Sequence, residues 1–238
     1  MDKKRQFQKI IEQSKNIVFF GGAGVSTESN IPDFRSVDGL YNQKYKYSPE
    51  TMLSHTFFVN HTEEFFDFYR DKMLVPWAKP NVTHLKLAEL EEEGRLKAIV
   101  TQNIDGLHET AGSKNIFNLH GTVYRNYCME CGEFYSMEYI KESTGIPRCE
   151  KCGGIVKPDV VLYEENLDQN VLEGAINAIS NAEVLIVGGT SLVVYPAAGL
   201  INYFNGKHLI LINKQQTNYD KNADLVFYEN LGEMFKLL

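Results

Sequence analysis

The chain has 238 residues, 43% of them hydrophobic, and a formal charge of −7 at pH 7. That length supports one large core with a small inserted module, not two full domains. The acidic balance and a pI near 5.4 argue against a protein whose main task is gripping a phosphate backbone, which calls for a basic surplus.

The opening stretch MDKKRQFQKIIEQSKN is charged and amphipathic. It lacks the continuous apolar core of a secretory signal, so it predicts an ordinary first helix in a cytoplasmic protein. NIVFFGG at 16–22 reads as a buried parallel strand that runs into Gly22, Ala23 and Gly24. Residues 25–28 then have the composition of a helix start. Glycines in such a turn let the backbone approach a pyrophosphate, and a helix N-terminus offers it free N–H groups. Alone, the pattern suits a plain strand-to-helix turn equally well. Thr27 stands where the third glycine of a dinucleotide fingerprint belongs, and no acidic residue closes a second strand to hold a ribose. Beyond Pro32 come Asp33, Phe34 and Arg35, an acid, an aromatic face and a guanidinium suited to clamping a charged, ring-bearing cofactor.

From 32 to about 80 the chain is rich in aromatic residues and reads as a loop followed by a small helical module. THLKLAELEEEG at 83–94 is a helical pattern ended by Gly94, and KAIVTQN at 97–103 is a second strand. The stretch TQNIDGLHETAGSKNIFNLHGTVYRNYCMEC that follows gathers amides, an acid and two histidines ahead of a Cys-x-x-Cys pair. Cys128 and Cys131 are separated from Cys149 and Cys152 by 17 residues. This is zinc-ribbon spacing, in which each knuckle turns two thiolates toward one tetrahedral ion. A pair of disulfides is the competing reading. Four thiolates leave no open coordination position, so such a zinc is structural. The segment between the knuckles is not strongly basic, which speaks against nucleic-acid binding.

AEVLIVGG at 182–189 and HLILIN at 208–213 complete the strand signals. Residues 184–204 carry no charge. Gly188, Gly189, Pro196 and Gly199 interrupt them, which fits strand, loop and helix and not a membrane span. The alternation predicts an α/β fold with a doubly wound parallel sheet. In such sheets ligands bind beyond the carboxyl ends of the strands, where GGAG, TQNID, GGTS and INKQ all fall.

With GAGVSTESNIPDFR, TQNIDGLH, LHG, the two cysteine knuckles, KPDVVLYEE and GTSLVVYPA in order, the chain resembles a sirtuin of the compact bacterial, undifferentiated type. The sirtuins are NAD-dependent protein-lysine deacylases. The resemblance spans almost the whole length and implies a Rossmann-like large domain at about 1–32, 81–120 and 158–238. Insertions at about 33–80 and 121–157 would form a smaller domain of helical module and zinc ribbon. NAD, one structural zinc and acyl-lysine protein substrates are implied, with no nucleic acid, no membrane and a monomeric chain. By motif, Gly22, Ala23, Gly24, Thr27, Asp33, Phe34 and Arg35 would line the diphosphate and ribose region. Gln102 and Asn103 would position the nicotinamide ribose, while Ile104 and Asp105 would hold the carboxamide. Gly189, Thr190, Ser191 and Asn213 would face phosphate or adenosine, and Val160, Val161 and Leu162 the substrate backbone.

The resemblance makes His120, Asn103 and Asp105 catalytic. His120 would take a proton from a ribose hydroxyl after the acyl oxygen has displaced nicotinamide, giving free lysine and acyl-ADP-ribose. His108 reads as a packed or capping residue. Three departures from the family pattern stand out: Gly21 for Thr or Ser, Asn30 for Gly, and Glu164 for Gly beside the acyl-lysine channel. Removal of acidic acyl groups goes with a Tyr-x-x-Arg pair; here Lys72 follows Tyr69 and Arg70 is out of step, which favours uncharged acyl groups. Desuccinylation, protein ADP-ribosyl transfer and an NAD-sensing zinc scaffold are the alternatives.

Overall fold

In the computed structural model, which describes residues 2–33, 39 and 46–238, the strands form two sheets. In chain order they are β1 (Ile17–Gly21), β2 (Leu96–Thr101), β3 (Ile116–Asn118), β4 (Gly121–Cys128), β5 (Phe134–Tyr135), β6 (Val156–Val160), β7 (Val184–Gly188), β8 (His208–Ile212) and β9 (Leu225–Phe227). The larger sheet has the order β3-β2-β1-β7-β8-β9 and is parallel throughout. The chain moves outward from β1 to β3 and returns on the other side at β7. The switch between β1 and β7 opens a crevice at their carboxyl ends.

Strand periodicity divides the core. Phe19, Ile99, Ile186 and Ile210 face one layer, built by α1 (Lys3–Gln13), α5 (Val82–Glu92) and the short α9 (Leu231–Phe235). Their neighbours Phe20, Val100, Val187 and Leu211 face the other, covered by α8 (Gln169–Asn181) and a 3₁₀ helix at Ala197–Tyr203. Burial on both faces is why these strands read as continuous apolar runs. The uncharged stretch 184–204 is strand, loop and 3₁₀ helix, and no helix among the described residues is long and apolar enough to cross a membrane.

A second core lies apart from the sheet. Phe57, Phe58, Phe65, Phe66 and Tyr69 pack with Val123, Tyr135, Ile140 and Val156. The aromatics come from α3 (His55–Asn60) and α4 (Thr62–Lys72), which follow α2 (Pro49–Met52). Ser48 and Ser54 cap α2 and α3 by accepting the N–H groups of Thr51 and Phe57. Each fully buried phenylalanine contributes about 2 kcal/mol by area, so the ring cluster stabilises a module too small to fold on backbone hydrogen bonds. The other partner is the antiparallel sheet β5-β4-β6 with α7 (Met137–Glu142).

The chain departs from expectation just after β1. Residues 25–28 do not begin an α-helix; two 3₁₀ turns, Ala23–Val25 and Thr27–Ser29, stand there instead. Val25, Ser26 and Ser29 N–H groups bond three residues back. Asn30 then turns into the left-handed region at φ 62, and Pro32 has no N–H to extend a helix. The glycines meet a second constraint. A β-carbon on Gly24 would lie 2.7 Å from Gly189 Cα, and one on Gly22 would lie 2.8 Å from Thr190 Cβ. The glycine turn is therefore pressed against the loop after β7.

Candidate functional site

The crevice is a cleft of about 430 Å³. The loops after β1, β2, β7 and β8 form one wall. Val160 to Glu165, with Tyr69, Lys72 and Met73 at the end of α4, form the other. Gly22, Ala23, Gly24, Thr27, Asp33, Gln102, Asn103, Ile104, Asp105, His120, Gly189, Thr190, Ser191, Asn213 and Val160 to Leu162 all line it. Phe34 and Arg35 lie outside the described residues.

His120 follows β3 and precedes β4. Its Nδ1 lies 2.9 Å from the carbonyl oxygen of Gln102. A carbonyl only accepts, so Nδ1 carries the proton and Nε2 the lone pair. Crowding by the surrounding residues lowers the pKa of the imidazole from its ordinary 6.5, and the bond to Gln102 opposes that only in part. The ring is thus a neutral base at pH 7.

A chain of side-chain hydrogen bonds runs beside it. Asn103 Nδ2 donates to Ser26 Oγ at 3.0 Å, and Ser26 Oγ donates to Asp105 Oδ2 at 2.6 Å. The Leu107 N–H donates to Asp105 Oδ1 at 3.0 Å. Burial raises the Asp105 pKa, while these two bonds pull it back. Ser26 was not singled out in the sequence, although it sits inside the GAGVS stretch. The motif marks a turn and gives no sign that its serine reaches 79 positions along the chain.

Gln102 also reaches the loop after β7: its Nε2 donates to Thr190 Oγ1 at 3.0 Å, and the Thr190 N–H donates to Asn213 Oδ1 at 2.9 Å. Asn213 Nδ2 is buried with no partner, a donor available to a polar ligand. Paired glycines, an unmatched buried amide and a shielded acid fit a dinucleotide along this wall.

Tyr69 and Lys72 line the cleft, but not as a carboxylate grip. The Tyr69 hydroxyl is fully buried without a partner, and burial pushes its pKa upward. Lys72 pairs with Asp71 at 2.9 Å. Arg70 turns elsewhere, donating to Asp67, Ser143 and the Gly145 carbonyl. His108 is buried against His84, with ring centres 4.7 Å apart, and does not line the cleft.

The four cysteines converge in the second sheet. Cys128 and Cys152 sulfurs are 3.4 Å apart, Cys131 and Cys152 3.4 Å, and Cys131 and Cys149 3.6 Å. All four sulfurs lie within 4.8 Å of one another. A zinc tetrathiolate with bonds near 2.3 Å has sulfur–sulfur edges of about 3.8 Å, whereas a disulfide needs about 2.05 Å. The thiols are free, and their spacing fits one closed, structural zinc. Tyr135 Oη donates to Cys149 Sγ at 3.2 Å, and this bond is the main cause lowering that thiol to about 6.

Comparison with known proteins agrees with this geometry. The Sir2 family profile matches residues 22–196. An NAD-dependent protein deacetylase of Clostridium acetobutylicum is 63% identical over 239 residues, covering 99% of this chain and 98% of its own. A Sir2 structure with a deacetylated p53 peptide and 3′-O-acetyl ADP ribose superposes with a TM-score of 0.91 at 39% identity, covering 99% of this chain and 97% of that one. Another, with p53 peptide and NAD⁺, gives 0.87 at 40% identity over 99% and 96%.

Proposed function

The chain belongs to the Sir2 family, and from that premise we propose that it removes acetyl groups from protein lysines, transferring them to the ADP-ribose of NAD and releasing nicotinamide. The observation that carries the reading is the pairing of a neutral His120, proton on Nδ1 and lone pair on Nε2, with the Asn103–Ser26–Asp105 chain along one wall. NAD supplies an ADP-ribosyl group whose bond to nicotinamide is the one that breaks.

In this reading Gly22, Ala23, Gly24 and Thr27, with Asp33, Phe34 and Arg35, hold the diphosphate and its ribose. Thr190, Ser191 and Asn213 hold phosphate or adenosine beside Gly189. Ile104 and Asp105 hold the carboxamide, for which a carboxylate is a fixed acceptor. Ser26 keeps Asp105 and Asn103 in register. Gln102 fixes the imidazole through its carbonyl, and His120 then removes a proton from a ribose hydroxyl. A binder that only sensed NAD would have no use for a base held in one tautomer.

The peptide enters along Val160, Val161 and Leu162, where the extended chain leaving the edge strand β6 can accept an added partner. Uncharged acyl groups suit the channel, since Tyr69 is buried, Lys72 is paired with Asp71 and Arg70 is turned away. Cys128, Cys131, Cys149 and Cys152 hold zinc and keep the second core, a smaller domain of 33–80 and 121–157, against the larger one. Free thiols in a zinc-ribbon pattern support a chain that works in a reducing compartment such as the cytoplasm.

Acetyl-, succinyl- and unmodified-lysine peptides incubated with and without NAD, and read by mass spectrometry, test the proposal. NAD-dependent loss of acetyl well ahead of succinyl is expected. ADP-ribose appearing on protein with every acyl group in place would overturn it in favour of ADP-ribosyl transfer.

A further inference from the structure

Among the described residues, Asn30, Glu164 and Leu192 are the non-glycines at positive φ, and Glu164 sits at φ 76 in the segment after β6. A side chain with a β-carbon holds this conformation only where its surroundings fix it. Here the Glu164 Oε2 accepts the Thr56 N–H at 2.9 Å and the Thr56 hydroxyl at 2.6 Å. The first turn of α3 thereby gains an anionic cap beyond Ser54.

The next residue works in the same direction. Glu165 Oε1 lies 2.9 Å from His55 Nδ1, and its Oε2 accepts from the Leu162 N–H at 2.9 Å and Lys157 Nζ at 3.2 Å. The backbone adds His55 N–H to the Tyr163 carbonyl at 2.9 Å and Tyr163 N–H to the Leu53 carbonyl at 3.0 Å. Residues 162–165 are thus stitched to 53–56. Leu162, Glu164 and Glu165 themselves line the cleft.

We propose that Glu164 is a positioning residue for the acyl-lysine peptide, clasping the cleft wall to α3 through Thr56 so that the 160–162 edge is set before the peptide arrives. The inference rests on the reading of 160–162 as the peptide wall. A wall fixed in advance spares the peptide the cost of ordering it. Its loss therefore appears in peptide affinity and not in the chemical step.

The test is steady-state kinetics of Glu164→Ala, Glu164→Gln and Thr56→Val, with peptide and NAD varied separately. Glu164→Ala should raise the peptide KM about threefold, the scale of a solvent-exposed charged hydrogen bond, with NAD KM and kcat near the parent values. Glu164→Gln, whose amide oxygen accepts the same two bonds, should restore the peptide KM. Thr56→Val should raise it less, and add nothing to Glu164→Ala. A parent-like peptide KM in Glu164→Ala, or a fall in kcat at constant KM, overturns the clasp. Photo-cross-linking from a diazirine-bearing acetyl-lysine peptide separates the two readings. Cross-links within 160–165 beside an unchanged KM reject the clasp alone, and cross-links elsewhere reject the peptide wall as well.

Discussion

At the scale of single residues, the hydrogen bond from His120 Nδ1 to Gln102 fixes which nitrogen can act as the base. Burial of the ring away from water lowers its pKa from 6.5. A base must be neutral, so the rate at saturating substrates falls only on the acid side of 6.5 and is level above it. A kcat profile across about pH 5 to 9 checks this; an acid limb centred above 7 would mean that His120 is held charged. The LHG motif was enough to single out His120, and QNID marked its neighbours. The tautomer could not be read, because it depends on a backbone carbonyl 18 positions away. Ser26 escaped notice for a similar reason, since its role exists only once β1 and β2 are side by side.

Among the elements, α5 and α6 (Leu107–Thr110) meet through two buried imidazoles. His84 Nδ1 accepts the Asn81 N–H and completes a capping box, but its Nε2 and both nitrogens of His108 are buried without partners. Burial lowers His84 to about 4 and takes His108 down too, with the neighbouring His84 adding to the effect. The unfolded chain takes up these protons from about pH 6.5 downward, whereas in the folded chain His84 does so only near 4 and His108 is likewise held well below its ordinary value. Stability is therefore full above about 6.5 and is lost as pH falls toward 4. Urea unfolding of the parent and of His84→Gln, which keeps a capping side chain, should show the variant losing about 2 kcal/mol less between pH 7.5 and 5. Equal losses would place the acid sensitivity elsewhere. The four strands with long apolar runs were readable from sequence; β3 and β9, three residues each, carry too little pattern to detect. The α-helix expected after Gly24 failed because the composition of 25–28 suits an α-helical start and the three-residue bonding that replaces it equally well.

For the molecule as a whole, the cleft is the space between two cores, and its far wall belongs to the one that includes Cys128 and Cys149. Zinc removal should therefore loosen that core while the parallel sheet persists. Hydrogen exchange after chelation should show 46–75 and 121–162 losing protection ahead of β1, β7 and β8, with peptide binding lost together with them. Uniform loss of protection would mean that the two cores unfold as one. The order of the polar loops along the sheet was legible in the sequence, whereas the stitching of 53–56 to 162–165 was not, because it joins segments more than 100 positions apart. In the proposed reaction this cleft couples deacylation to the consumption of NAD through His120. The most direct measurement is the product balance from one acetyl-lysine peptide, with nicotinamide, free-lysine peptide and acetyl-ADP-ribose quantified together for the parent and for His120→Ala. One of each per turnover, with acetyl-ADP-ribose abolished in the variant, is the predicted result. Free acetate formed without NAD, or acetyl-ADP-ribose at the parent rate from His120→Ala, would contradict it.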